Sequence, residues 1–114
     1  MSRATIRAGA AGERRAANWY LDRGYEVLDR NWRCASGEID LVCARTGVLV
    51  ICEVKTRHTD AFGSPLEAVT FAKQRRLRRL AGAWLAQHPR RWAPVRFDVV
   101  AIAGAGLEVI EGAF

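Results

Sequence analysis

The chain has 114 residues, half of them apolar, and a formal net charge of +6. That is enough for one compact domain with its own core, and no apolar run approaches the length that crosses a bilayer. Cys34, Cys43 and Cys52 form neither a C-x-x-C pair nor a Cys/His spacing, so the residues support no disulfide framework and no zinc site. With no apolar leader in MSRATIRAG, the expected compartment is the cytoplasm.

The stretch AAGERRAANWYLDRGY places Ala17, Tyr20 and Leu21 at helical spacing, and Gly24 supplies a left-handed stop, which predicts a helix over about residues 10–23. YEVLDRNWR reads as a first strand and CASG as a turn. In EIDLVCA the alternation puts Glu38, Asp40 and Val42 on one face and Ile39, Leu41 and Cys43 on the other. After RTG, the β-branched run VLVICEVKT is long enough for a central strand.

HTDAFGSPL reads as a loop, in which Ser64 and Glu67 have the spacing of a capping box. Thr70 is placed to cap a second helix, FAKQRRLRRLAGAWLAQH, whose core face is Leu77, Leu80, Ala81 and Trp84. VRFDVVAI is a fourth strand, and GAG turns it into a short fifth, LEVIE. The expected fold is α/β in the order αβββαβ(β), a mixed central sheet with a helix on each side, forming a single domain over residues 1–114.

The charge surplus is local. Lys73, Arg75, Arg76, Arg78, Arg79, Arg90, Arg91 and Arg96 lie in a segment with no acid, while the other ten basic residues face all twelve acidic ones. Such clustering is what a polyanion-binding face requires, although a solvated helix gives the same pattern.

The strand pair raises a sharper question, because Glu38, Asp40, Glu53 and Lys55 interrupt runs that are otherwise apolar. A two-residue turn at Thr46-Gly47 sets Arg45 against Val48, and counting outward sets Asp40 against Glu53 and Glu38 against Lys55. Opposed carboxylates destabilise a sheet unless a cation lies between them. Hard oxygen ligands without cysteine or histidine suit Mg²⁺ or Mn²⁺. Lys55 is placed to orient an attacking water or to stabilise charge on a phosphate. A salt-bridged hairpin explains either half alone; the carboxylate pair, the lysine and the basic segment together supply what phosphodiester hydrolysis needs.

Asp40 followed by Glu53-Val54-Lys55 resembles the PD-(D/E)xK nuclease superfamily, with Ile39 where the proline would stand. Across nearly the whole chain, GERRAANWYLDRGYEVLDRNWR, GEIDLV, EVKTR, FGSPLEAV and RFDVVAI resemble the YraN family of small bacterial proteins. The resemblance implies a restriction-endonuclease-like core with Asp40 and Glu53 as metal ligands, helped by the Val54 carbonyl, and Lys55 as the catalytic lysine. Archaeal Holliday-junction resolvases of the superfamily carry a glutamate on the first helix, which matches Glu13 and implies a place in the metal shell; a glutamate there also suits the helix dipole. In related nucleases a lysine or glutamine on the following helix reaches the site, which points to Lys73 or Gln74.

Glu38 is a candidate partner of Lys55. Arg57, Arg75, Arg76 and Arg79 are candidate phosphate contacts. Asp98 is expected to bond Arg96 or a loop amide. His58 and His88 have no ligand partners in sequence, and the four tryptophans suit core or rim, with Trp92 open to base stacking.

The expected function is a Mg²⁺- or Mn²⁺-dependent endonuclease acting on DNA, branched DNA included. A homodimer would suit a junction substrate. The rival readings are a nucleic-acid-binding or scaffolding protein of the same fold in a DNA-repair or DNA-uptake complex, and a module whose arginines bind an acidic protein.

Overall fold

A computed structural model describes the backbone of residues 3–57, 69–89 and 94–114, and the side chains from residue 9 onward within them. The elements are α1 (Arg3–Asp22), β1 (Glu26–Cys34), β2 (Gly37–Arg45), β3 (Val48–Arg57), α2 (Phe71–Gln87), β4 (Val95–Ala103) and β5 (Gly106–Ile110). The Ser64/Glu67 capping box, His58, Arg90, Arg91 and Trp92 lie outside the described residues.

Five strands form one sheet in chain order. All neighbours are antiparallel except β3 and β4, which run parallel. A parallel pair needs a crossover, and α2 lies between those two strands in sequence. The arrangement is the expected α/β order with a mixed sheet.

Each face of the sheet is covered by one helix. On one side Ala16, Ala17 and Tyr20 of α1 pack with Leu41, Cys43, Val50 and Cys52. On the other, Leu77, Leu80, Ala81 and Trp84 of α2 pack with Val42, Ala44, Leu49 and Ile51. Those four α2 residues are the buried ones of the helix, as their spacing predicts. Residues 49–52 of β3 are buried whichever face they take, which makes β3 the centre of both layers.

Local chemistry sets the ends. Gly24 has φ +83 and Gly47 φ +79, the left-handed region where a residue without Cβ costs least. The Thr70 hydroxyl accepts from the Lys73 amide and caps α2. One boundary differs from expectation: α1 begins at Arg3, well before residue 10. RATIRAGAAG is rich in alanine and arginine, good helix formers, and contains no proline to stop the helix.

Long-range polar ties lock the layers. Asp98, 1% exposed, accepts from the Tyr20 hydroxyl at 2.6 Å, from Arg96 and from the Gly112 amide. Arg96 in turn donates to the Tyr25 hydroxyl, so the expected structural role of Asp98 extends to both ends of the α1 turn. Burial raises the Tyr20 phenol well above its usual range, and the bonds to Asp98 and its negative charge add to that. On the other side, Trp84 Nε1 donates to Asp29 at 2.8 Å and ties α2 to β1, while His88 stacks on the Trp84 ring.

Candidate active site

The carboxylates meet where β2 and β3 part. The turn closes as predicted with Arg45 opposite Val48, and the ladder runs to Leu41 opposite Cys52. There it stops. Continued one pair further that register would set Asp40 against Glu53, and then Ile39 against Val54, but the Val54 amide instead donates to Asp40 Oδ2 at 2.8 Å. The aspartate side chain thus takes over a backbone acceptor's place and lies in the gap between the strands.

The neighbouring strand β1 is irregular too: its register against β2 shifts between Val27 and Asp29. Its pairing with β2 passes from Arg30–Leu41 to Trp32–Ile39, omitting Asn31 and Asp40, and Asn31 has φ +51. Asparagine tolerates that left-handed conformation better than most side chains. Beyond it the strands change face: Ile39 joins the α2 cluster while Leu41 belongs to the α1 cluster. The alternation that grouped Ile39 with Leu41 and Cys43 is therefore corrected. An asparagine inside a strand, where its type is depleted, is the signal that could have shown this irregularity. Distortions of this kind are over-represented beside active sites because they re-aim a side chain.

Glu38 is the second correction. It pairs with Arg33 of β1, with Arg33 Nε 3.4 Å from Glu38 Oε2, in place of Lys55. The ion pair of Lys55 is with Glu53, Nζ to Oε1 at 3.2 Å, on the same strand. Both side chains are largely sheltered, with 27% of Lys55 and 15% of Glu53 exposed.

Asp40 is pushed up to about 7. Burial is the largest cause, and the negative charge of Glu53 comes next; Glu13 on α1 and Glu38 add smaller amounts, while the Val54 amide opposes them. A carboxylate crowded by others favours a proton or a cation. Lys73, in the first turn of α2, is held below the usual lysine range chiefly by the positive charge of Lys55, with which it shares a hydrogen bond; Glu53 pulls the other way. Four elements, α1, β2, β3 and α2, thus bring Glu13, Asp40, Glu53, Lys55 and Lys73 into one electrostatic neighbourhood.

The other candidates are placed differently. Gln74 Nε2 donates to the Val69 carbonyl at 3.2 Å and fixes the approach to α2. Arg57, at the end of β3, lines a cleft of about 250 Å³ with Gly12, Arg15 and Thr56. Arg75, Arg76 and Arg79 are exposed on α2. Arg78 is exposed as well and also lies over the Phe97 ring, its guanidinium 4.8 Å from the ring centre. Cys43 and Cys52 offer no reactive thiolate: burial pushes Cys43 up to about 12 and Cys52 well above its usual range.

A divalent ion fits this donor set in one form. Among the described residues no three His, Cys, Asp or Glu side chains are gathered into a cage. Mg²⁺ commonly takes only one or two carboxylates and keeps waters or substrate phosphate for the rest, which suits the Asp40 and Glu53 pair. No helix among the described residues is long and apolar enough to cross a membrane.

A family model described as uncharacterised protein family UPF0102 matches residues 12–102, a span that takes in Glu13, Asp40, Glu53, Lys55 and Lys73. The UPF0102 protein of Rhodococcus opacus (strain B4) is 54% identical over 94 residues, covering 82% of this chain and 80% of that protein. That of Mycolicibacterium vanbaalenii is 54% identical over 101 residues, covering 89% and 82%. A third, from Beutenbergia cavernae, is 54% identical over 100 residues, covering 88% and 85%. The chain belongs to the uncharacterised protein family UPF0102, the YraN family.

Proposed function

We propose that this protein is a Mg²⁺- or Mn²⁺-dependent endonuclease that hydrolyses phosphodiester bonds in DNA, branched DNA included. The observation that carries the reading is Asp40, raised toward neutrality beside Glu53 in a break of the sheet, with Lys55 and Lys73 next to them. A fold gains nothing from crowding carboxylates in a half-buried gap, and strongly perturbed groups with a specific charge partner are functional-site candidates.

Asp40 and Glu53 would hold the ion with the Val54 carbonyl, and Glu13 on α1 would add negative charge nearby without being a third carboxylate ligand. When bound, the ion polarises the scissile phosphate and lowers the pKa of a water. The protein's own part is positional. The Val54 amide fixes one oxygen of Asp40, so the carboxylate needs no reorganisation. Glu53 holds Lys55 at its side, where the ammonium can orient a water or meet charge developing on the phosphate. Lys73 and Lys55 repel each other, and an anionic phosphate between them relieves that repulsion. The exposed Arg75, Arg76 and Arg79 supply non-specific attraction for the backbone. Glu38 and Gln74 support the site indirectly, through Arg33 and the α2 approach.

The test is a cleavage assay on linear, flapped and four-way DNA with Mg²⁺, Mn²⁺ or chelator. Lys55→Ala should lower cleavage by orders of magnitude and leave DNA affinity little changed, since the lysine acts in the transition state. Equal loss of both would move Lys55 into the set that only grips phosphate. DNA binding without metal-dependent cleavage of any substrate would favour the rival reading, a nucleic-acid-binding protein on the nuclease fold.

A further inference from the structure

The exposed side of α2 carries a residue that neither the core nor the carboxylate site uses. Phe71, the first residue of the helix, is 73% exposed and belongs to neither apolar cluster. Helical spacing sets it on one stripe with Arg75 and Arg78, at i+4 and i+7, and Arg79 follows at i+8. Lys73, two residues along and so on the other side of the helix, meets Lys55 beside Glu53. The helix contains no acid.

A bare aromatic ring at the head of a cationic stripe has the two parts that recognise single-stranded nucleic acid: a basic track for the backbone and a flat face for a base. An acidic protein would meet the arginines but has little use for the ring. Within an intact duplex each base is covered on both faces by its neighbours, so only an unpaired or splayed base has a face to offer.

We propose that Phe71 is a stacking platform for an unpaired nucleobase on the face of α2 that carries Arg75 and Arg78. The substrate is then nucleic acid with at least one unstacked nucleotide, as at a flap, gap or branch. This deepens the proposed function and rests on its nucleic-acid part.

Fluorescence anisotropy in chelator, where no metal-dependent cleavage occurs, tests it with a labelled single strand, a flapped duplex and a blunt duplex. Phe71→Leu keeps an apolar side chain without the ring and should weaken single-strand and flap binding on the order of tenfold. Blunt-duplex affinity should not change, and Phe71→Trp should match or exceed the wild type. A 5-iodouracil in the flap should photocrosslink to the peptide carrying residue 71. Equal flap affinity for Phe71→Leu and wild type would overturn the proposal, as would a loss shared by the blunt duplex. A melting temperature far below wild type in Phe71→Leu would also overturn it, by making the ring a folding contact. Lys55-dependent cleavage that persists without any Phe71 effect refutes the stacking and leaves the nuclease standing; Phe71-dependent binding without cleavage does the reverse.

Discussion

Replacing Asp40 with asparagine should stabilise the metal-free protein at pH 8 and lose that advantage at pH 5. In the native state the carboxyl keeps its proton up to about 7, against an ordinary value of 3.8. Between those values the native protein binds more protons than the unfolded chain, so its stability falls as pH rises through that window. Ionising Asp40 in place therefore costs on the order of 4 kcal/mol above pH 7, at about 1.4 kcal/mol for each pH unit. The amide of the Asp40→Asn variant would escape that cost and still offer an oxygen to the Val54 N–H, giving up only the charge assistance of that bond, about 1 kcal/mol. The net gain is at most about 3 kcal/mol at pH 8, or roughly 10 °C in Tm for a domain of this size. At pH 5 wild-type Asp40 is mostly protonated and the gain largely disappears. Thermal unfolding by circular dichroism in chelator, at both pH values, reads the difference. A variant no more stable than wild type at pH 8, or equally favoured at pH 5, would show that Asp40 is not a crowded carboxylate and would remove the physical basis of the site.

Replacing Arg75, Arg76 and Arg79 together with glutamine should leave Tm nearly unchanged, because all three are exposed. DNA affinity should drop alike for different sequences, and the slope of log affinity against log salt should flatten by roughly one for each phosphate no longer neutralised; an unchanged slope would return these arginines to the solvent. Asp98→Ala strands a buried hydroxyl, a guanidinium and an amide, so it should cost about 3–5 kcal/mol and lower Tm by more than about 10 °C; a shift of a degree or two would mean the network relaxes into water.

What was legible in the sequence is what local spacing controls. Leu77, Leu80, Ala81 and Trp84 recur at the helical period and are the residues α2 buries. Gly47 marks a two-residue turn, and Arg45 faces Val48 across it. The same counting failed past Leu41, because the Asp40 side chain accepts from the Val54 amide where the ladder ends, beside an Asn31 in the left-handed region. Period-two patterning assumes an unbroken ladder, so it placed Glu38 against Lys55 when its neighbour is Arg33. The bond between Tyr20 and Asp98 joins residues 78 positions apart, a tie no periodicity encodes. Phe71 carried no signal, since an aromatic at a helix start is ordinary until its exposure is known.

The central claim is that Asp40 and Glu53 form a divalent-ion site completed by substrate phosphate. Isothermal titration of Mn²⁺ into the protein, alone and with a flapped DNA bearing a non-hydrolysable linkage at the junction, tests it most directly. The expected result is weak binding alone, tighter binding with DNA, and loss of both in Asp40→Asn. Absence of Mn²⁺ binding to the wild type with the DNA present, or equal binding by Asp40→Asn, would contradict it.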